Sequence, residues 1–281
     1  MLKRIITGLL AGAVLVLVLL TYSIWLTIGI AVMTMIAMWE FYRAVGLTTK
    51  NKPLCIIGII GSCLIIGTRL VEPEPRYIAL VGFVYIVSLL LIMLYSREYV
   101  TLTDVAMIII GNLYVAYLML HIILVRSMTV ELEYEIIDVG QMFIWLVFVG
   151  AIATDTFAYF TGFFFGKRKL WPDVSPKKTV EGAIGGTLGC GGSFVVYGLI
   201  LEYLLPQFEV SLLLMFMLGL LCALAAQLGD LVASVIKRQY GVKDFGKILP
   251  GHGGVLDRFD SILFVAPVVY LFILHIGVII A

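Results

Sequence analysis

Long apolar runs divided by short polar breaks dominate this chain. Runs of helical length fall near 5–20, 23–42, 54–71, 77–95, 104–125, 140–165, 180–204, 211–236 and 260–280. Each approaches the roughly 20 apolar residues that an α-helix needs to cross about 30 Å of hydrocarbon. A backbone in hydrocarbon must satisfy its own hydrogen bonds, so runs of this length read as helices. The pattern predicts an all-α polytopic integral membrane protein of about nine transmembrane helices. Only Thr21, Tyr22 and Ser23 separate the first two runs, which form a tight helical hairpin or one long, partly interfacial element. Met1-Leu2-Lys3-Arg4 before an apolar run has the outline of a signal peptide. No small-residue cleavage site follows, so the run reads as a retained first span.

Composition agrees with this and excludes other classes. The 281 residues are 62% hydrophobic and 13% charged, against about 45–50% and about 25% in soluble domains. An ordinary globular protein and a disordered chain are both excluded. No polar stretch is long enough for a separate soluble domain, so function must reside in the bundle and its short loops. The cysteines Cys55, Cys63, Cys190 and Cys222 all fall in apolar stretches without a CxxC pair and read as small hydrophobic fillers.

Net charge is +1, which says little, whereas its distribution is informative. Of the 19 Lys and Arg residues, only Arg69, Arg76 and Arg126 fall in alternate connections; the rest share the other side. The positive-inside rule then puts the N-terminus in the cytoplasm and the C-terminus outside, as nine spans require. The outer connections carry Glu72, Glu74, Glu131, Glu133, Glu135, Asp138, Glu202 and Glu209, which read as solvated structural acids.

The two halves differ in where acids stand. Residues 1–139 read as N-terminal transmembrane helices, a scaffold facing lipid or a second copy. Their Glu40 and Asp104 lie at predicted span ends, within reach of the interface. Residues 140–281 read as the catalytic bundle, with two basic cytoplasmic loops and acids inside or at the inner ends of spans. Asp155 lies roughly three turns inside the basic loop that starts at Lys167. A short side chain cannot snorkel that far, so a functional role is the default reading. Asp230, Ser234 and Lys237 follow at i, i+4 and i+7, with Gln227 at i−3, and share one helix face that must look into the bundle. Asp257 and Asp260 open the last span directly after Gly253 and Gly254. A helix dipole alone favours acids in a first turn, but it explains less well two acids flanking Arg258. Magnesium takes one or two carboxylates and bridges to substrate phosphates; Asp230 and Asp257, from consecutive spans, could converge on one such ion.

The loop after the sixth span carries Lys167, Arg168 and Lys169, which are ordinary positive-inside charge, and then Ser175-Pro176-Lys177-Lys178-Thr179-Val180-Glu181-Gly182. Lys177, Lys178 and Thr179 at a helix entrance suit a phosphate. Gly182, Gly185 and Gly186 then permit close helix packing or close substrate approach. The next inner loop offers Lys237, Arg238, Lys243, Lys247, His252 and several glycines, enough to wrap a polyanion, though no GxxxxGK[ST] loop is present.

From Ser234 to Asp260 the chain resembles the signature of the CDP-diacylglycerol synthase family, the phosphatidate cytidylyltransferases. The matching positions are Ser234, Lys237, Arg238, Lys243, Asp244, His252, Gly253, Gly254, Asp257, Arg258 and Asp260. Asp155 with Ala158, Tyr159 and Gly162, and the stretch from Ser175 to Gly182, resemble the family too; over 1–139 the likeness is topological only. The resemblance implies an integral inner-membrane enzyme, homodimeric, with its active site facing the cytoplasm and no nucleic-acid partner. It would join phosphatidic acid to CTP, giving CDP-diacylglycerol and pyrophosphate, with Mg2+ and a K+ ion beside it. The family's metal-binding aspartates map onto Asp230 and Asp257, with Asp260 or Asp155 in the second shell or on a second ion. Lys237, Arg238, Lys243 and Arg258 would hold the triphosphate or the lipid phosphate, with Lys177 and Lys178 completing a basic wall. Asp244 orients a lysine or contacts the nucleotide, and His252 donates to phosphate or holds the loop. The rival reading from another class is a membrane transporter of an anionic substrate, which uses the same intramembrane charges.

Overall fold

The computed structural model describes residues 23–71, 75–132, 135–204, 206–248, 251 and 253–280. The expected first span, 5–20, and His252 lie outside the described residues. Among the described residues, seven helices are long and apolar enough to cross a membrane. In the terms of the fold they are α1 (Ser23–Ala44), α3 (Lys52–Val71), α4 (Pro75–Tyr95), the continuous run Leu102–Arg126, α7 (Gly140–Phe165), α8 (Val180–Leu204) and α9 (Leu212–Gln239). Short helices α2 (Leu47–Lys50) and α10 (Leu256–Phe259) serve as connections, and α11 (Ile262–His275) is a shorter apolar helix. The expected runs from 23 onward therefore each find a helix, though the last closes after 14 residues rather than running to 280.

The run Leu102–Arg126 is α5 (Leu102–Gly111), a π-helical stretch Asn112–Tyr117 and α6 (Leu118–Arg126). Its N-terminus is a capping box: Thr101 Oγ1 accepts from the Asp104 backbone N–H at 3.3 Å, and Asp104 Oδ2 accepts from the Thr101 N–H at 2.8 Å. The connections hold small hairpins that apolar patterning does not show. They are β1 (Thr129–Leu132) with β2 (Glu135–Asp138), β3 (Lys169–Trp171) with β4 (Ser175–Thr179), and β5 (Glu209–Val210) with β6 (Ile279–Ile280), each antiparallel. Asp138 is more than a solvated acid: it takes both oxygens to Arg126 Nη1, at 3.0 and 2.8 Å.

The described residues divide into two compact units. One holds those up to Ile123 together with Tyr240–Asp257; the other holds Leu124–Gln239 and those from Arg258 onward. In the first, α1 packs along α3 and the π-helical stretch, around Phe41, Tyr42, Leu54, Ile108 and Met119. Helix α4 keeps little but Leu89 buried and turns residues such as Phe83 and Leu94 outward, as suits a bilayer solvent. Glu40, near the end of its span, is covered by protein: it is 1% exposed in this core.

In the second unit α8 lies between α7 and α9, and α9 packs on α11. Glycines let these backbones meet. A Cβ at Gly182 or Gly186 would press on the Ala158 or Thr154 carbonyl of α7, and one at Gly219 on the Gly191 backbone. Small residues at helix crossings gain van der Waals contact where no hydrophobic force separates protein from lipid. Of the two roles open to Gly182, Gly185 and Gly186, close packing against α7 is the one seen.

Candidate active site

The second unit gathers charged residues that sequence placed far apart. Asp155 comes from α7, Lys178 from β4, Asp230 and Lys237 from α9, and Arg258 and Asp260 from the α10–α11 corner. Lys178 Nζ forms an ion pair with Asp230 Oδ2, their side chains 26% and 28% exposed. Lys237 Nζ stands 4.0 Å from Asp260 Oδ2 in a drier setting, with 12% and 13% exposure. Asp155 lies in the fields of Asp230, Lys178 and Arg258, and Asp260 in those of Asp230, Lys237 and Asp155. Acids and cations thus alternate within one group. Burial bears on Lys237 and Asp260, since an unpaired buried ion costs several kcal/mol; Asp155 and Arg258 are exposed.

Local structure explains the convergence. Gln227 Nε2 donates to the Ala183 carbonyl and to Thr187 Oγ1 of α8, at 3.2 and 3.1 Å, which turns the Gln227–Asp230–Ser234–Lys237 stripe into the bundle. A Cβ at Gly229 would collide with the Asp260 backbone, so glycine there lets α9 reach the corner that carries Asp260. The basic loop expected before α8 is the β3–β4 hairpin, with Lys169 opposite Thr179 and Trp171 opposite Ser175. Glu181 braces it by accepting from the backbone N–H groups of Lys167 at 3.1 Å and Arg168 at 3.2 Å. Thr179, expected at a phosphate, caps the helix: its Oγ1 accepts from the Gly182 N–H at 3.1 Å. Lys177 remains exposed, Ser234 half-buried, and Arg238 exposed at the end of α9, where a cation also complements the helix dipole.

The rest of the expected residues lie in the first unit, on the segment 240–257. Lys243, Asp244 and Lys247 are exposed, Gly253 adopts a φ of 87°, and Gly254 is buried. Asp257 is 8% exposed, and its Oδ2 accepts from the N–H groups of Phe245, Gly246 and Gly254 at 2.8, 3.4 and 3.0 Å. That oxygen organises a loop. Asp230 and Asp257, paired on one ion in the sequence reading, belong to different units.

A charged group carried on apolar helices suits chemistry on a charged substrate at a membrane. The profile of the cytidylyltransferase family matches residues 2–276, and the chain belongs to that family. It is therefore a nucleotidyltransferase and not an anion transporter. A phosphatidate cytidylyltransferase of Bacillus subtilis (strain 168) is 34% identical over 275 residues, covering 95% of this chain and 96% of that protein. The phosphatidate cytidylyltransferases of Staphylococcus saprophyticus and of Staphylococcus aureus (strain COL) are each 44% identical, over 143 and 142 residues, about half of each chain.

Proposed function

We propose that this chain transfers CMP from CTP to phosphatidic acid, releasing pyrophosphate and leaving CDP-diacylglycerol in the membrane. The observation that carries this reading is the pairing of Lys178 with Asp230 and of Lys237 with Asp260 on apolar helices, with the exposed Asp155 and Arg258 beside them. Relatedness to phosphatidate cytidylyltransferases along nearly the whole chain names the substrates.

A phosphate monoester has its second pKa near 6, so the lipid phosphate is already a nucleophile at neutral pH. No general base is required. An oxygen of that phosphate forms the new bond to the α-phosphorus of CTP. The bond from the α-phosphorus to the bridging oxygen breaks, and its electron pair leaves with pyrophosphate. The barrier lies in bringing two polyanions together and in holding charge on the leaving oxygen, so positioned cations supply the catalysis. Lys178, Lys237 and Arg258 are set among carboxylates that keep them in place until phosphate displaces those partners. Arg238, exposed at the end of α9, adds a further cation for the triphosphate, and the family resemblance assigns Lys243 to the same polyanion.

The donor set also fits magnesium. It is made of carboxylate oxygens, the hard ligands that magnesium prefers. Magnesium takes one or two carboxylates and leaves its other positions to water and phosphate. Asp230 would hold it, with Asp260 and Asp155 nearby; when bound, it adds positive charge beside the triphosphate. The same reading places nine spans in the cell's inner membrane, N-terminus and basic loops on the cytoplasmic side, in a homodimer. The positive-inside bias supports the orientation, and cysteine crosslinking in membranes tests the dimer.

The decisive measurement uses purified protein in detergent, CTP labelled at the α-phosphate, and phosphatidate. Label should enter the lipid phase with magnesium and stay aqueous with excess EDTA. Label that remains aqueous under every metal condition would reject the reading.

A further inference from the structure

Glu40 is the least expected acid in the molecule. It sits in α1, 1% exposed, with Oε1 buried and without a hydrogen-bond partner among the described residues. Its partners come from the far end of the chain. Oε2 accepts from the Leu256 N–H at 2.9 Å. A Cβ at Gly246 or Gly254 would collide with the Glu40 carboxyl, so glycine at both positions lets the loop close over it. One turn further along α1, Arg43 Nη2 donates to the Phe245 carbonyl at 3.0 Å. Asp257 closes the same loop from within through the N–H groups of Phe245, Gly246 and Gly254. Both flanks of the loop, 245–246 and 254–256, are thereby fastened by their backbones to one turn of an N-terminal helix. The exposed Lys243, Asp244 and Lys247 hang on the first of those flanks.

We propose that Glu40 and Arg43 are positioning residues for nucleotide handling: they clamp the backbone of the loop 240–257 and so fix where its cations stand. The inference rests on the reading of this chain as a cytidylyltransferase acting on CTP. A carboxylate and a guanidinium at i and i+3 of one helix grip an N–H and a C=O of a single loop, which a core salt bridge between helices would not do. The N-terminal helices then take part in catalysis through this clamp as well as serving as scaffold.

The test uses full-length protein in detergent and two readouts. Glu40→Ala should raise the KM for CTP about tenfold while leaving the KM for phosphatidate near its wild-type value. It should also speed tryptic cleavage at Lys243 and Lys247 without changing cleavage in the Lys167–Lys178 segment. Glu40→Gln keeps an acceptor for the Leu256 N–H and should restore most of both properties. Arg43→Ala should act in the same direction as Glu40→Ala. Unchanged loop cleavage in Glu40→Ala, equal acceleration in both basic segments, or a parallel rise of both KM values would each overturn the clamp. The cleavage readout needs no turnover, so a failure of CMP transfer in the wild type would sink the proposed function and leave the clamp to be judged on proteolysis.

Discussion

Two pairs of carboxylates, one in each unit, are used in opposite ways. In the first, Glu40 and Asp257 are buried and accept from backbone N–H groups of one loop. In the second, Asp230 and Asp260 face ammonium groups of side chains. A backbone N–H cannot move away or be replaced by substrate without unfolding the loop. A lysine can swing from a carboxylate to a phosphate within one side-chain rotation. The first arrangement therefore builds shape, and the second keeps charge ready for exchange, although both place acids in apolar surroundings.

The largest expected effect tests the second arrangement. Asp230→Asn keeps size and hydrogen-bonding capacity but removes the charge that faces Lys178. Activity should fall by about 100-fold or more, the scale of losing a main electrostatic element of a transfer site. The protein should remain inserted and its thermal midpoint nearly unchanged, because the residue is partly exposed. Turnover near wild type at saturating magnesium would remove Asp230 from the site.

Asp257→Asn should separate the two uses. One carboxyl oxygen serves the N–H groups of Phe245, Gly246 and Gly254, and an amide offers a weaker acceptor and an unwanted donor. A buried N–H left without a partner costs about 1–3 kcal/mol. Activity should therefore fall together with stability, read as a lower midpoint and faster proteolysis of the 240–257 loop. Loss of activity with no loss of stability would give Asp257 a direct role at the reacting groups.

These contrasts also mark what the sequence could tell. Span positions were legible because hydrocarbon imposes length and apolarity on a local stretch: 140–165 and 180–204 match α7 and α8 residue for residue. The polar stripe on α9 was legible because i, i+4 and i+7 fix a face without tertiary information. Its link to Asp260 was legible only as proximity in the chain. The β3–β4 hairpin was not visible, since its residues are charged and short-range, and its order comes from Glu181 reaching back to the Lys167 and Arg168 backbones. The capping role of Thr179 is not legible, because a cap and an anion site draw on the same exposed N–H groups at a helix start. The partner of Glu40 is not legible, because nothing local announces a donor 216 positions away. The one available hint was glycine at 246 and 254, and glycine in a loop has many causes.

A smaller effect should follow from Lys178→Met, which keeps the stem and removes the charge. Asp230 then loses its ion-pair partner in a half-exposed setting. If Lys178 is handed from Asp230 to phosphate during the reaction, kcat should fall about tenfold or more while the protein stays folded. Lys178→Arg should recover part of the loss by keeping charge with altered geometry. A normal kcat in Lys178→Met would reduce the pair to ordinary surface electrostatics, which contribute about 0–1 kcal/mol.

The smallest effect belongs to the first unit, away from its loop. Thr101 caps α5, and its hydroxyl also donates to Asp104 Oδ2 at 2.7 Å, while Lys50 Nζ lies 2.6 Å from that same oxygen. Thr101→Ala removes the cap but leaves the Lys50 pair and the Thr101 N–H contact to Asp104. The cost should be about 1 kcal/mol of stability, typical of an N-cap, with CMP transfer unchanged within about twofold. This acid, too, is buried and holds a backbone N–H, but its hydrogen bonds run to Thr101 and Lys50 rather than to the described residues of the 240–257 loop. If Thr101→Ala raised the KM for CTP as Glu40→Ala is expected to, any loosening of the N-terminal helices would suffice, and the loop clamp would lose its specificity. An unchanged KM for CTP in a measurably less stable protein would show that what matters about Glu40 is the bond of its Oε2 to the loop.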